Sequence, residues 1–233
     1  HKLGYTVHGP LAANLMDRSH LEVFRAAVAG MLEICGAIGA TVLVQHTGRI
    51  AARSAAAIEE AHARERDALR ALGDQAARHG VRIAVETLFV FDRGRYTAPA
   101  ARLAEELRTI DHPQVCGTLD FSHVYLYATF LGQDFAEQVK AFAPVAGHLH
   151  VHDSFGRPKL AKGASASEDL AFGLGDLHLP LGWGDIPWDA LLPGLAFREG
   201  TVFMLELPWH FEHEAEACAR EAERLIGLIG SAR

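Results

Sequence analysis

His148-Leu149-His150-Val151-His152-Asp153 is a short run of apolar residues and metal-type ligands, and the chain repeats its theme five more times. The other versions are Val7-His8, Val44-Gln45-His46, Ala84-Val85-Glu86, Leu119-Asp120-Phe121-Ser122-His123 and Met204-Leu205-Glu206. In each, a short, mostly β-branched apolar stretch precedes a polar or glycine-containing loop and then a helical pattern. A parallel β/α barrel builds one site from such distant segments, because its strand ends converge on one face. The sequence therefore reads as α/β, a TIM-type (β/α) barrel.

Working outward from these runs, strands are expected at 4–8, 41–45, 81–85, 115–119, 147–151 and 202–205. Helices are expected at 21–38, 54–79, 98–107, 134–142 and 214–229, with Gly39 and Gly80 placed to stop the first two. The longest irregular stretch, 153–188, is of a length that is usually functional. No linker or low-complexity tract divides the chain, which reads as one β/α-barrel domain over 1–233. Six units stand where a full barrel has eight in about 250 residues. The expectation is that the first one or two units are missing, as in an N-terminally truncated barrel. Absent strands would expose sheet edges, which predicts pairing with another chain and hence a homo-oligomer.

The 233 residues are 49% apolar and 22% charged, ordinary values for a globular protein. A net charge of −7 provides no general attraction to nucleic acid or anionic membrane, although a local basic groove stays compatible with it. Cys35, Cys116 and Cys218 are far apart in apolar runs and read as buried, reduced thiols. With no apolar run of membrane-spanning length and no signal peptide, the expected compartment is the cytoplasm.

Glu86, Asp120, His150 and Glu206 form a mixed carboxylate and imidazole set that suits Mn²⁺, Zn²⁺, Co²⁺ or Fe²⁺. Acidic groups gathered at strand ends demand a counter-cation. Asp120 and His123, three residues apart, can point into one pocket. His8 and His46 end the first two strands, and Asp176-Leu177-His178 places a carboxylate and an imidazole on one side of an extended segment. Arg157, Lys159 and Lys162 could hold an anionic group but read first as solvated. Trp183, Trp188 and Trp209 fall near the expected pocket mouth, with Trp188 read as packing, and Phe89, Phe91 and Tyr96 could wall it. His20, His62, His79, His112, His210 and His213 fall on helices or their ends and read as incidental.

The ordered set of motifs resembles the xylose isomerase-like TIM barrel superfamily, which groups sugar isomerases and epimerases with endonuclease IV (AP endonuclease family 2). The matching segments are His8 through Asn14-Leu15, His46-Thr47-Gly48, Asp120-Phe121-Ser122-His123 and His150-Val151-His152-Asp153. Asp176-Leu177-His178 with Leu181-Gly182-Trp183-Gly184 completes the set. The resemblance implies two chemistries. In the epimerase branch one divalent metal is held by Glu86, Asp120, His150 and Glu206, the two glutamates exchange protons with the substrate carbon through an enediolate, and histidines such as His123 steady its hydroxyls. In the endonuclease branch three zinc ions are held: one by His8, His46 and Glu86, a second by Glu86, Asp120, His150 and Glu206, a third by His123, Asp176 and His178.

Departures separate the branches. Leu11 stands where endonuclease IV carries an aromatic, Asp120-Phe121-Ser122-His123 replaces its Asp-Thr-Cys-His, and His152 and Phe155-Gly156-Arg157 replace its Asn and Lys. The expectation is a divalent-metal-dependent sugar or sugar-derivative isomerase or epimerase, holding one to three ions of Mn, Zn, Co or Fe. Glu86 and Glu206 are its expected acid/base pair, and His123, His152, Arg157 and Trp183 its expected contacts to a small polyhydroxylated substrate. The alternatives are a zinc phosphodiesterase acting on abasic DNA or another phosphodiester, a related enolate-type lyase or dehydratase, and a non-catalytic metabolite-binding barrel. The sequence speaks against nucleic acid and gives no sign of a membrane partner.

Overall fold

The computed structural model describes residues 3–51, 54–160 and 165–230; Lys162, one of the candidate anion contacts, lies outside the described residues. Eight strands occur among them: β1 (Tyr5–His8), β2 (Ala40–His46), β3 (Arg49–Ala51), β4 (Arg82–Glu86), β5 (Arg95–Thr97), β6 (Val115–Asp120), β7 (Ala146–Val151) and β8 (Val202–Leu205). Six of them form one parallel sheet in the order β1-β2-β4-β6-β7-β8, and β3 and β5 pair as a small antiparallel ribbon. The helices are α1 (Leu21–Ile38), α2 (Ala55–His79), α3 (Ala100–Ile110), α4 (Phe121–Leu131), α5 (Phe135–Phe142), α6 (Ala166–Phe172), α7 (Trp188–Leu191) and α8 (Ala215–Ile226). Strand and helix alternate as a TIM-type barrel requires, in a partial barrel of six parallel strands.

Alternation along the strands divides the core in two. One set of side chains, including Leu43, Ile83, Val85, Leu119, Leu149 and Val151, packs outward against Val28, Leu32, Leu69, Leu72, Leu103 and Phe142 of the helices. The other set, Val42, Val44, Ala84 and Cys116, forms a separate small cluster on the opposite face. Leu119 and Leu149 are almost wholly buried, so truncating either to alanine should cost about 2–5 kcal/mol. At Gly117 an added Cβ would lie 2.4 Å from the Phe142 ring; the missing side chain lets α5 lie close on β6. All three cysteines are buried and free.

Register sets the level at which the ligands sit. His46 pairs with Glu86, Glu86 with Thr118, and Asp120 with His150 across successive parallel strands. Caps then fix where each strand hands over to its helix. Ser54 accepts the Ala57 N–H at the start of α2, and Gly39 and Gly80 close α1 and α2 at φ 73° and 66°.

The sequence reading missed three pieces here: α6, which lies inside the stretch 153–188 read as irregular, and two more. Helix α4 follows β6 with no loop between them, because Asp120 is both the last strand residue and the helix N-cap, accepting the His123 N–H at 2.8 Å. The β3–β5 ribbon consists of three-residue strands, too short for any periodic signal. Among the described residues no helix is long and apolar enough to cross a membrane.

Candidate metal centre

Glu86, at the end of β4, is the hub. One carboxylate oxygen, Oε2, lies 3.2 Å from His8 Nε2 and 3.4 Å from His46 Nε2. The other, Oε1, lies 3.3 Å from Nδ1 of both His123 and His150. His150 Nδ1 in turn stands 3.6 Å from Asp120 Oδ2 and 3.3 Å from Glu206 Oε1. A second focus is Asp176, whose Oδ2 is 3.1 Å from His123 Nε2 and 3.0 Å from His178 Nε2. Strand ends and loops far apart in sequence thus converge as the barrel reading required.

The donor set fits a divalent cation. His8, His46 and Glu86 form one group able to hold an ion, Glu86, Asp120 and His123 another, and Asp120, His150 and Glu206 a third. Ligand atoms about 2.0–2.2 Å from a common ion stand roughly 3–3.5 Å from each other, close to the nitrogen–oxygen gaps above. Among the described residues, the ion pairs of Glu86, Asp120, Asp176 and Glu206 are all with imidazoles. No lysine or arginine appears in those pairs to balance four clustered carboxylates. His150 Nδ1 is buried and has no hydrogen-bond partner of acceptable geometry, although it faces three carboxylates. A buried imidazole nitrogen left unpaired among carboxylates fits a metal ligand better than a satisfied core histidine.

The electrostatics follow from this crowding. Burial pushes the Glu86 carboxyl up, but the neighbouring imidazoles of His123, His150 and His8 outweigh it and hold the group well below the usual carboxylate range. Burial likewise acts against the Asp120 and Asp176 carboxylates, and their histidine neighbours win again, holding both low. His150 and His178 move the other way: burial opposes their charge, yet carboxylates raise His150 to about 10 and His178 to about 9, whereas burial prevails at His46 and lowers it. Glu206 differs: burial, with the negative charges of Asp120 and Glu86, outweighs its histidine neighbours and raises it.

The groups around the ligands hold them in place. Thr87 joins two of them, its carbonyl accepting from His123 Nδ1 at 2.9 Å and its hydroxyl oxygen from the Asp120 N–H at 3.1 Å. A His123 proton kept on Nδ1 leaves Nε2 free toward Asp176. Glu65 reaches in from α2, accepts the Gly48 N–H at 2.6 Å and the Thr47 hydroxyl at 3.2 Å, and so anchors the loop that carries His46. Asp153 serves the long loop in the same way, accepting from Gly182 N and Ser154 N. An added Cβ at Gly184 would lie 2.3 Å from the Ser154 carbonyl oxygen, which accounts for the glycine there.

Several expectations change. His152, read as a substrate contact, is buried with Nε2 3.3 Å from Asp120, lies flat on His178 at 3.9 Å, and joins His178 and Glu206 in a further group able to hold an ion. Arg157 is not gathered into the centre: its guanidinium donates to the Phe172 carbonyl and lies over the Phe155 ring. Trp183 is half-exposed and meets Phe211 edge-on, while Trp209 is exposed. Trp188 packs against Phe121, as read. Tyr96 does not wall the site; its hydroxyl bonds to His62, a fully buried histidine that is structural rather than incidental.

Two contributors were missed. Glu65 lies within a charged helix and carries no local signal. His148 shares its strand face with His150, a signal that alternation provides, and both its ring nitrogens are buried without partners while burial holds it down at about 3.

The family model described as xylose isomerase-like TIM barrel matches residues 1–227. No curated protein matches the chain by sequence. Among solved structures, a D-tagatose 3-epimerase-like protein superposes with a TM-score of 0.71 at 19% identity, over 95% of this chain and 78% of that one. The 3-keto-D-glucoside 4-epimerase YcjR from E. coli gives 0.61 at 17%, over 95% and 78%. The IOLI protein with a bound zinc atom gives 0.62 at 20%, over 96% and 74%. At these identities the likeness is one of fold.

Proposed function

Because the chain belongs to the xylose isomerase-like TIM barrel family, we propose that it is a divalent-metal-dependent isomerase or epimerase of a sugar or sugar derivative, working as one β/α-barrel domain. Glu86, Asp120, His150 and Glu206 would hold the metal, with His8, His46, His123, Asp176 and His178, and also His152, able to hold further ions. The observation that carries the reading is the placement of Glu86 Oε1 and Glu206 Oε1, each 3.3 Å from the same imidazole nitrogen of His150. Two carboxylates at one metal-ligand atom are the equipment for moving a proton off and onto one carbon. Fold relatives that bear epimerase names support the reading.

The derived chemistry is a proton transfer. One glutamate removes the proton from the carbon beside a carbonyl, and the electron pair of the broken C–H bond moves into an enediolate. The other glutamate returns a proton to the opposite face of that carbon, giving the epimer; delivered instead to the former carbonyl carbon, with the hydroxyl proton passing to the other oxygen, it gives the isomer. A bound divalent cation supplies positive charge beside the adjacent substrate oxygens. His123, His152 and His178 orient the hydroxyls.

Turnover of a ketose in deuterium oxide tests this directly. One solvent deuterium should enter at the reacting carbon, and Glu206→Gln should slow the exchange about 10²–10⁴-fold. Product without deuterium would sink the reading.

A second reading has its own support. The ligand groups spread over enough donors for more than one ion, and Arg18, Arg49, Arg64 and Arg95 line a pocket of about 600 Å³ beside the loop that follows His46. Both suit a zinc phosphodiesterase. Cleavage of a duplex carrying one abasic site, in step with zinc loading, would replace the epimerase reading.

A further inference from the structure

Asp176 belongs to the metal centre on one side and to a cleft of about 660 Å³ on the other. Phe89, Phe91, Leu170, Leu174 and Leu177 form the apolar part of that cleft, and Lys159, Ser167, Asp169 and His210 line the rest beside Gly175. Phe89 stands edge-on to His123 at 5.0 Å and is stacked on Phe91 at 4.8 Å, so an apolar wall begins at the ligands and continues outward. Opposite it, α6 presents Leu170, which is 46% exposed. Lys159 and Asp169, both in the cleft lining, pair with each other.

The apolar part of this cleft does not match a bare sugar. A polyhydroxylated chain needs hydrogen-bonding partners along its length, and the metal centre is rich in them, whereas Phe89, Phe91, Leu170, Leu174 and Leu177 add apolar surface that such a chain cannot use. The size differs too: pockets of about 300–1,000 Å³ enclose drug-sized ligands, which are larger than a monosaccharide. Apolar side chains left facing solvent beside a site mark a surface that something covers.

We infer that the substrate is a sugar carrying an aromatic substituent, with the sugar end at the metal centre and the aromatic ring in the cleft between the Phe89–Phe91 pair and Leu170. The inference rests on the sugar reading for the polar end. Phe89 and Phe91 offer edges and faces to an aromatic ring, and the leucines complete its desolvation.

The test is calorimetric titration of the manganese-loaded protein with phenyl β-D-glucopyranoside and with methyl β-D-glucopyranoside. The phenyl glycoside should bind about tenfold or more tightly than the methyl one. Leu170→Asn, at a half-exposed position that does not support the fold, and Phe91→Ser should each shrink that ratio several-fold. Equal affinities, no binding of either glycoside, or a preference that survives both substitutions would overturn the inference. Deuterium exchange into ketoses separates it from the proposed reaction. Exchange without the aryl preference removes the cleft and leaves the epimerase, and the preference without exchange does the reverse.

Discussion

Glu86 and Glu106 are both buried glutamates, and they are neutralised in opposite ways. Glu106, on α3, pairs with Arg66 and Arg102, and Arg102 also reaches Glu59 on α2. Burial works against its charge, and the two guanidiniums more than offset that and lower it. Glu86 meets four imidazoles and no guanidinium. A guanidinium is a permanent cation that fills its geometry and stays. An imidazole can be protonated or can ligate a metal, so the Glu86 cluster can take its positive charge from a proton or from a cation. Glu65 is a third case: it has only the Gly48 N–H and the Thr47 hydroxyl, and burial raises it to about 7. Whether a buried carboxylate acts as a brace or as a reagent is decided by which cation stands beside it.

The contrast can be broken by substitution. The largest effect belongs to Glu86→Gln, which should slow turnover about 10²–10⁴-fold and leave the folded protein unable to gain stability from added metal. Retained turnover would mean that the imidazole-ringed glutamate is as structural as Glu106.

Glu65 comes next, at about 3 kcal/mol. Between about pH 4.5 and 7 its carboxyl keeps a proton in the fold that the unfolded chain has lost. The native state therefore binds the extra proton, so stability falls as pH rises through that window and levels off above it. Denaturant melts of the protein and of Glu65→Gln, differenced across this range, should show that slope; parallel curves would place Glu65 among the ordinary ionised carboxylates.

Metal loading follows. At a free concentration about 100 times the dissociation constant it should add about 2.7 kcal/mol, raising Tm by about 5–10 °C, and chelation should reverse the gain. Glu106→Gln should cost the least, about 2 kcal/mol, because Arg66 and Arg102 are partly exposed and can turn to water. Its turnover should be unchanged, and a loss of turnover in a fully folded variant would erase the distinction between the two glutamates.

The sheet was legible because each strand ends in a ligand after an apolar run. β8 lies where it was expected, and the other five strands of the parallel sheet lie within one residue of expectation at each end. Helix α1 also has its expected bounds, and Ser54 and Asp134, read as helix starts, are N-caps. Helix α4 was hidden because its first turn is the ligand motif itself, whose chemistry masks its helical role. The candidate ligands His8, His46, Glu86, Asp120, His123, His150, Asp176, His178 and Glu206 do gather, as the order of the motifs implied. What could not be read was support from elsewhere in the chain, such as Glu65 of α2 on the His46 loop and Thr87 on both Asp120 and His123. Those contacts join segments whose separation in sequence carries no periodic mark.

Asp120 caps α4 with one carboxylate oxygen and turns the other toward His150 and His152. Folding and ligation are therefore read by selection through the same side chain. A lineage that abandoned catalysis would be free to lose Glu206, which caps nothing and is a quarter exposed, well before Asp120. In a descendant of this barrel that binds without turning over, an aspartate would persist at that strand end as the trace of a lost trade.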